Sequence, residues 1–386
     1  MPKRSIRYYI DPMKEFAPYY FTIYMSVVIL MTLIKFSEMQ AMRGYSVLYH
    51  RDDYKPMIFF SLFFILLFGF RPISDIFGDT VMYNASYQIM QTYGTSEGDL
   101  PASMNSDWLF YWGMYYCAQV IDINYFLAIV MYFYIVMMFT GCRKLDSWHG
   151  ATLMLFCIGA FSFYTYSVNG IRNGVACSFV ILALSSICRG DRIWPIVFSF
   201  VAISCHKSTA LPLVCMFFTY FVRNPKFMFL SWLGAIALSL VFGETLGNLF
   251  SLVNYDERLA ANMQSGADVA DEWGIELENR FRWDFLLYSS MPIVLGAYTL
   301  FVRKVYNNTY LILLGTYIYA NSFWVLVIRG LFSNRFAYLS WFLYPIVLAY
   351  PLLNLPVFKN DHSRKTAWIL LAHLGFTTVM WVLGKL

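Results

Sequence analysis

The chain contains long apolar runs in which polar and apolar residues do not alternate, and these most narrowly limit what it can fold into. The runs VVILMTLI at 27–34 and LAIVMYFYIVMMF at 127–139 cannot be read as strands with one wet face. In hydrocarbon every backbone N–H and C=O needs a partner within the protein, so such runs fold as helices. A closed barrel would require two-residue alternation. That the runs do sit in hydrocarbon follows from composition: 59% of the 386 residues are hydrophobic and 13% are charged. The mean hydropathy of +0.54 is more than the core of a water-soluble domain can hide.

Twelve stretches suit membrane helices: 17–36, 56–71, 124–141, 151–167, 171–188, 193–205, 208–222, 227–243, 284–302, 309–328, 336–354 and 367–384. The expected fold is therefore an all-α integral membrane protein, a polytopic bundle of about 12 transmembrane helices in a single domain, 1–386. The segment DWLFYWGMYYCAQVI at 107–121 is short for a perpendicular span and reads as interfacial or re-entrant. With it excluded, six short connections carrying Lys or Arg (35–55, 142–150, 189–192, 223–226, 303–308 and 355–366) fall on one side, which the positive-inside rule makes cytoplasmic. The basic N-terminus, with Lys3, Arg4, Arg7 and Lys14, falls on the other side and reads as a surface arm. Residues 1–15 are polar, and no small-residue cleavage pattern follows the first apolar span, so no cleavable signal peptide is expected.

The net charge of +5 is spread over these loops, which suits orientation in a bilayer and gives no reason to expect a nucleic-acid partner. The seven cysteines lie mostly in apolar spans without CxxC spacing and read as small core residues, not as disulfides or metal ligands.

Six polar clusters fall on the side opposite the basic loops. Charged groups at helix ends are costly unless they meet a partner, water or a ligand, so their collection on one face points to one site. Arg71 closes an apolar run and is followed by Asp75, Gly78, Asp79 and Tyr83; it can serve a ligand or pair with Asp75 or Asp79 to finish a helix. Asp107 can cap the short aromatic helix or act as a catalytic carboxylate. Asn169, Arg172 and Asn173 join two spans so tightly that Arg172 falls in the first turn of the second, where free N–H groups and a guanidinium together favour an anion.

His206, Lys207 and Ser208 lie between two spans too short to cross the hydrocarbon, which predicts a turn recessed in a wet cavity, with His206 available as a general base. Arg329 and Arg335, with Tyr338, add two guanidiniums. The long connection 244–283, with eight acidic and three basic residues, is expected to lie over the site. Its Arg258, Arg280 and Arg282 can supplement the site or pair with nearby acids.

The order of these motifs, Arg71 with Gly78-Asp79-x-x-x-Tyr83, Asp107-x-x-Phe110, Ile171-Arg172-Asn173, His206-x-Ser208 and Arg335-x-x-Tyr338, resembles that of EpsG-type exopolysaccharide polymerases, relatives of the Wzy-type O-antigen and capsule polymerases. The resemblance runs from about 17 to 354. It departs at Asp107, where such proteins usually carry glutamate, and at Asn173, where glutamine is common; both changes shorten the reach of the side chain.

The resemblance implies a GT-C-like enzyme of the bacterial inner membrane whose site faces the periplasm. Its substrates would be oligosaccharide repeat units linked to undecaprenyl diphosphate, with a chain-length regulator as a further partner. Arg71, Arg172, Arg329 and Arg335 would stabilise the departing diphosphate, and His206, Asp79 or Asp107 would serve the acceptor hydroxyl. Tyr83, Asn169, Asn173, Lys207, Ser208, Arg280, Arg282 and Tyr338 would contact the substrate. No cofactor or metal is expected. The rivals are a flippase or transporter for the same lipid, a glycan ligase and a membrane O-acyltransferase using His206.

Overall fold

A computed structural model describes residues 14–94, 107–252, 281–329 and 334–382, and among them every regular element is a helix. The first half contains α1 (Tyr20–Ala41), α2 (Lys55–Gly69), α3 (Thr80–Tyr93), α4 (Trp108–Ala118), α5 (Ile123–Leu145), α6 (Gly150–Ile158), α7 (Phe161–Val168) and α8 (Ile171–Arg189). The second half contains α9 (Trp194–Cys205), α10 (Ala210–Phe221), α11 (Pro225–Leu252), α12 (Trp283–Ala297), α13 (Asn308–Leu326), α14 (Asn334–Trp341), α15 (Tyr344–Asn354) and α16 (His362–Val382).

All twelve expected spans are helical, but fewer have the length and apolarity to cross a bilayer. Seven qualify, and an eighth is added if the pair α6–α7, bent by 72°, is a single span. The expected spans at α2, α9 and α10 have only 15, 12 and 12 residues. The segment at 107–121 forms the 11-residue α4, too short to span. The expected loop from 244 begins as a continuation of α11, which kinks at Phe242 and runs on to Leu252. The arm at 1–13 and most of the long connection, with Arg258 and Arg280, lie outside the described residues.

Burial grades the helices. Within the apolar window of 335–354, which joins α14 and α15, 89% of residues are buried, and in α8 72% are; in 225–243 only 22% are, so that helix offers its surface to lipid. Helix α8 packs against α5 and α9 and forms the centre of one half, as α13 does against α10 and α11 in the other.

The bend between α6 and α7 frees carbonyls in the apolar interior, where each must find a donor. Three side chains supply them: His373 Nε2 reaches Phe156 O at 2.9 Å, Thr377 Oγ1 reaches Gly159 O at 2.8 Å, and the Tyr24 hydroxyl bonds Ile158 O. The polar residues that dilute α16 thus complete a broken helix elsewhere.

The six basic connections meet at one end of the bundle in a continuous chain of polar contacts. Lys144 joins 142–150 to Asp191 at 2.6 Å, and the Asp52 amide joins 35–55 to Trp148 O at 2.9 Å. The Ser363 amide reaches Gly44 O at 2.9 Å, Arg303 reaches Val357 O at 2.7 Å, and Arg223 reaches Asn308 at 2.6 Å. Helix α8 ends at this basic end, closed by Gly190 at φ +82, and its 19 residues place Arg172 at the opposite end, roughly 25 Å away.

Candidate functional site

Asp107 occupies the N-cap position of α4, yet its side chain does not cap that helix. It turns to α8 and to the turn after α9. Its Oδ2 accepts from Arg172 Nη1 at 2.7 Å and lies 3.0 Å from His206 Nδ1, while Oδ1 accepts from the Lys207 amide at 3.0 Å. The carboxylate, 1% exposed, is thus shared by elements 65 to 100 residues apart in sequence. Burial opposes its ionisation. The hydrogen bond and charge of His206, the Arg172 charge and the Lys207 N–H outweigh this and hold the carboxyl below its ordinary range.

Two tyrosines fix Arg172. Its Nε donates to the Tyr83 hydroxyl of α3 at 2.9 Å and its Nη1 to the Tyr111 hydroxyl of α4 at 3.0 Å, and the guanidinium lies 5.7 and 5.3 Å from the two ring centres. Tyr111 follows Asp107 by one helical turn, so one face of α4 supplies both the anion and an aromatic wall. The second terminal nitrogen, Nη2, has no protein partner among the described residues.

Helix α9 spans about 18 Å, well short of a hydrocarbon layer of about 30 Å, and a turn follows it. There the Thr209 hydroxyl and amide both donate to His206 O, at 2.7 and 3.1 Å, which fixes the backbone. With Nδ1 directed at Asp107, Nε2 is the outward ring nitrogen, and it has no partner among the described residues. The imidazole side chain is 15% exposed. Lys207 and Ser208 continue as a 3-10 turn and are half-buried beside it.

A second polar line adjoins this cluster. Asn173 Nδ2 donates to the Tyr166 hydroxyl at 3.3 Å, Tyr166 donates to Tyr338 O at 2.8 Å, and the Tyr338 hydroxyl meets Thr165 Oγ1 at 3.2 Å. Tyr338 also stacks on Phe161, with ring centres 5.9 Å apart. Sequence positions 173 and 338 are thereby linked through Tyr166.

The remaining expected residues are placed differently. Arg71 is fully buried: Nε and Nη2 donate to Thr80 Oγ1 at 3.2 and 3.0 Å, Nη1 to Phe68 O at 2.6 Å, and Nη2 also to Val168 O at 3.3 Å. It therefore braces α2, α3 and α7 and presents no surface to a ligand in this conformation; nor does it pair with Asp75 or Asp79. Asn169 uses its side-chain oxygen to accept from the Asp79 amide at 2.9 Å, clasping the turn at Gly78, whose φ is +54. The Asp79 side chain is exposed.

Arg329 is half-buried 5.9 Å from the Phe281 ring centre, and its Nε has no hydrogen-bond partner among the described residues. Arg335 is exposed in the first turn of α14. Arg282 forms a two-pronged pair with Asp284 at 3.0 and 2.8 Å and lies over Phe285, while Arg280 lies outside the described residues.

Tyr111, Tyr166 and Thr80 were not singled out from sequence. For Tyr111 a signal existed in its one-turn spacing from Asp107; the other two look like ordinary helix residues until the fold places them. Among the described residues, no group of three His, Cys, Asp or Glu side chains gathers as a metal site would.

Residues 54–385 match the profile of the EpsG family. No curated protein and no solved structure matches the chain. The match takes in α2 to α16 and every residue of the Asp107 cluster, and the chain belongs to the EpsG family.

Proposed function

We propose that this protein is a polysaccharide polymerase, a glycosyltransferase that joins undecaprenyl-diphosphate-linked repeat units at the periplasmic face of the bacterial inner membrane. The observation that carries the reading is the Asp107 carboxylate holding both Arg172 and His206 while leaving Nη2 of the one and Nε2 of the other without protein partners among the described residues. One polar site so presents a cation and a proton acceptor side by side.

In the proposed step, the acceptor sugar hydroxyl approaches His206 Nε2. With Nδ1–H donated to Asp107, Nε2 holds a lone pair and takes the hydroxyl proton as the oxygen bonds to the anomeric carbon of the donor. The bond from that carbon to the diphosphate oxygen breaks, and its electron pair leaves with the polyprenyl diphosphate. Asp107 acts as a positioning residue, since it is buried and its oxygens are already engaged.

Arg172 is matched by Asp107, so it contributes a directed N–H more than a net charge. Further positive charge for the leaving group is assigned to Lys207, Arg329 and Arg335. Arg71 acts from behind by holding the framework. Asp79 and the sugar-contacting roles of Asn173, Ser208 and Tyr338 belong to the same proposal, in a single domain. The twelve-crossing, GT-C-like arrangement and a chain-length regulator remain part of it.

The test is deletion in the native host followed by complementation with His206→Ala or Arg172→Ala and glycan electrophoresis. A polymerase site predicts that inserted mutant protein leaves single repeat units in place of long chains. Loss of all external repeat units would indicate a flippase, and full-length chains altered only in modification an acyltransferase; either result refutes the reading.

A further inference from the structure

At the basic end of the bundle, far from Asp107, a cavity of about 340 Å³ opens between α1, α2 and α6. Its polar part has two layers. The inner layer is closed: Lys35 Nζ bonds Asp52 at 2.9 Å and Glu38 at 3.1 Å, His50 Nε2 reaches Glu38 at 2.6 Å, and Asp52 accepts from Thr152 N and Oγ1 at 2.7 and 2.8 Å. Asp52 is buried, so this layer is a fixed floor.

The outer layer consists of Arg51 and Asp53, both exposed. Arg51 has no hydrogen-bond partner among the described residues. Among the described residues, Asp53 accepts only from the Lys55 amide, at 3.0 Å, which leaves most of its carboxylate open. Beside these groups the wall is apolar, formed by Met31, Ile34, Met57 and Phe60, and Ile34 is 59% exposed on the outer surface of α1. A ligand that fits must therefore carry an anion and a cation at one end and an alkyl chain at the other.

We propose that this cavity binds the headgroup and upper acyl chain of a zwitterionic aminophospholipid of the phosphatidylethanolamine type. The phosphate accepts from Arg51, the primary ammonium donates to Asp53, and the chain follows Ile34, Met57 and Phe60 into the bilayer. Apart from His50, which is held by Glu38, the lining holds two cations, Lys35 and Arg51, against three carboxylates, Glu38, Asp52 and Asp53, which disfavours a headgroup with net negative charge. A trimethylated ammonium cannot donate to Asp53, so phosphatidylcholine is the discriminating control.

The experiment uses the full chain in detergent, exchanged with equimolar phosphatidylethanolamine, phosphatidylcholine and phosphatidylglycerol and examined by native mass spectrometry. Phosphatidylethanolamine is expected to be retained about fivefold over each of the others, the upper end of what exposed ion pairs contribute. Asp53→Asn is expected to remove that preference, and Arg51→Ala to lower retention of all three lipids, neither lowering Tm; Asn keeps the oxygen that accepts from Lys55. Equal retention of the three lipids, preference for phosphatidylglycerol, a preference unchanged in Asp53→Asn, or retention unchanged in Arg51→Ala overturns the proposal. The readout is bound lipid, so it stands or falls independently of the polymerase reading.

Discussion

Asp107→Asn is the most informative perturbation, because it preserves shape and removes only the charge and one acceptor. The native carboxylate receives three donors, at 2.7, 3.0 and 3.0 Å. In the variant, one side-chain oxygen remains and an NH2 group is turned towards at least one of those donors. Removing one partner of a buried ion pair costs about 3–5 kcal/mol; Arg172, 11% exposed, is partly hydrated, so about 2–3 kcal/mol is expected here.

The catalytic effect is larger than the structural one if Asp107 sets the tautomer of His206. A general base contributes about 10²–10⁴-fold, so Asp107→Asn should lower kcat by about 10²–10³-fold with little change in KM. The assay is polymer formation from a lipid-linked repeat unit by purified protein in nanodiscs, resolved as a ladder on gels, with thermal unfolding measured in parallel. Because the two residues act as one unit, Asp107→Asn combined with His206→Ala should be no slower than His206→Ala alone. Multiplicative losses in the double variant, or a kcat within about threefold of wild type for inserted Asp107→Asn, would refute the dyad.

Other outcomes follow from the same contacts. Asp107 has a lowered folded-state pKa, so its stabilising contribution is complete above about 4 and is lost as pH falls further; Tm should drop more steeply below that pH in wild type than in Asp107→Asn, and parallel curves would contradict this. Arg71→Ala should cost about 3 kcal/mol or more in stability and sharply reduce the yield of folded protein, because it strips donors from Thr80 Oγ1 and two buried carbonyls; a normal Tm with lost polymerisation would return Arg71 to the ligand. Thr377→Val, which unpairs Gly159 O at the bend, should cost about 1–2 kcal/mol, read as a lower Tm with activity retained. Gly78→Ala places a Cβ against the Asn169 side chain at a backbone φ of +54, and should lower Tm by an amount corresponding to about 1–3 kcal/mol; an unchanged Tm would show that the clasp yields freely.

Some of the site was legible in sequence because it depends on local rules. Arg172 had to fall in a first turn once two spans were joined by Asn169-Gly170, and His206 had to open the turn between two short helices. Arg71 shows the limit of such reasoning. A cation at the end of an apolar run suits a ligand, a carboxylate or a set of carbonyls equally well, and only the approach of Val168 O and Thr80 decides for the last. Asp107 shows it too: the N-cap position was readable, but its side chain serves other helices instead.

The sequence by itself determined that the chain is helical, that it belongs in a bilayer, where its apolar segments lie, and which loops share the basic end. All of these follow from hydrogen-bond satisfaction in hydrocarbon and from charge along the chain, which are properties of short segments. Only the tertiary structure decided which polar groups meet: that Asp107 gathers Arg172, His206 and Lys207, that Tyr111 closes the set, and that Arg71 is a brace. Those choices depend on packing between segments tens to hundreds of residues apart, where a helix that ends or bends a turn earlier would pair different side chains.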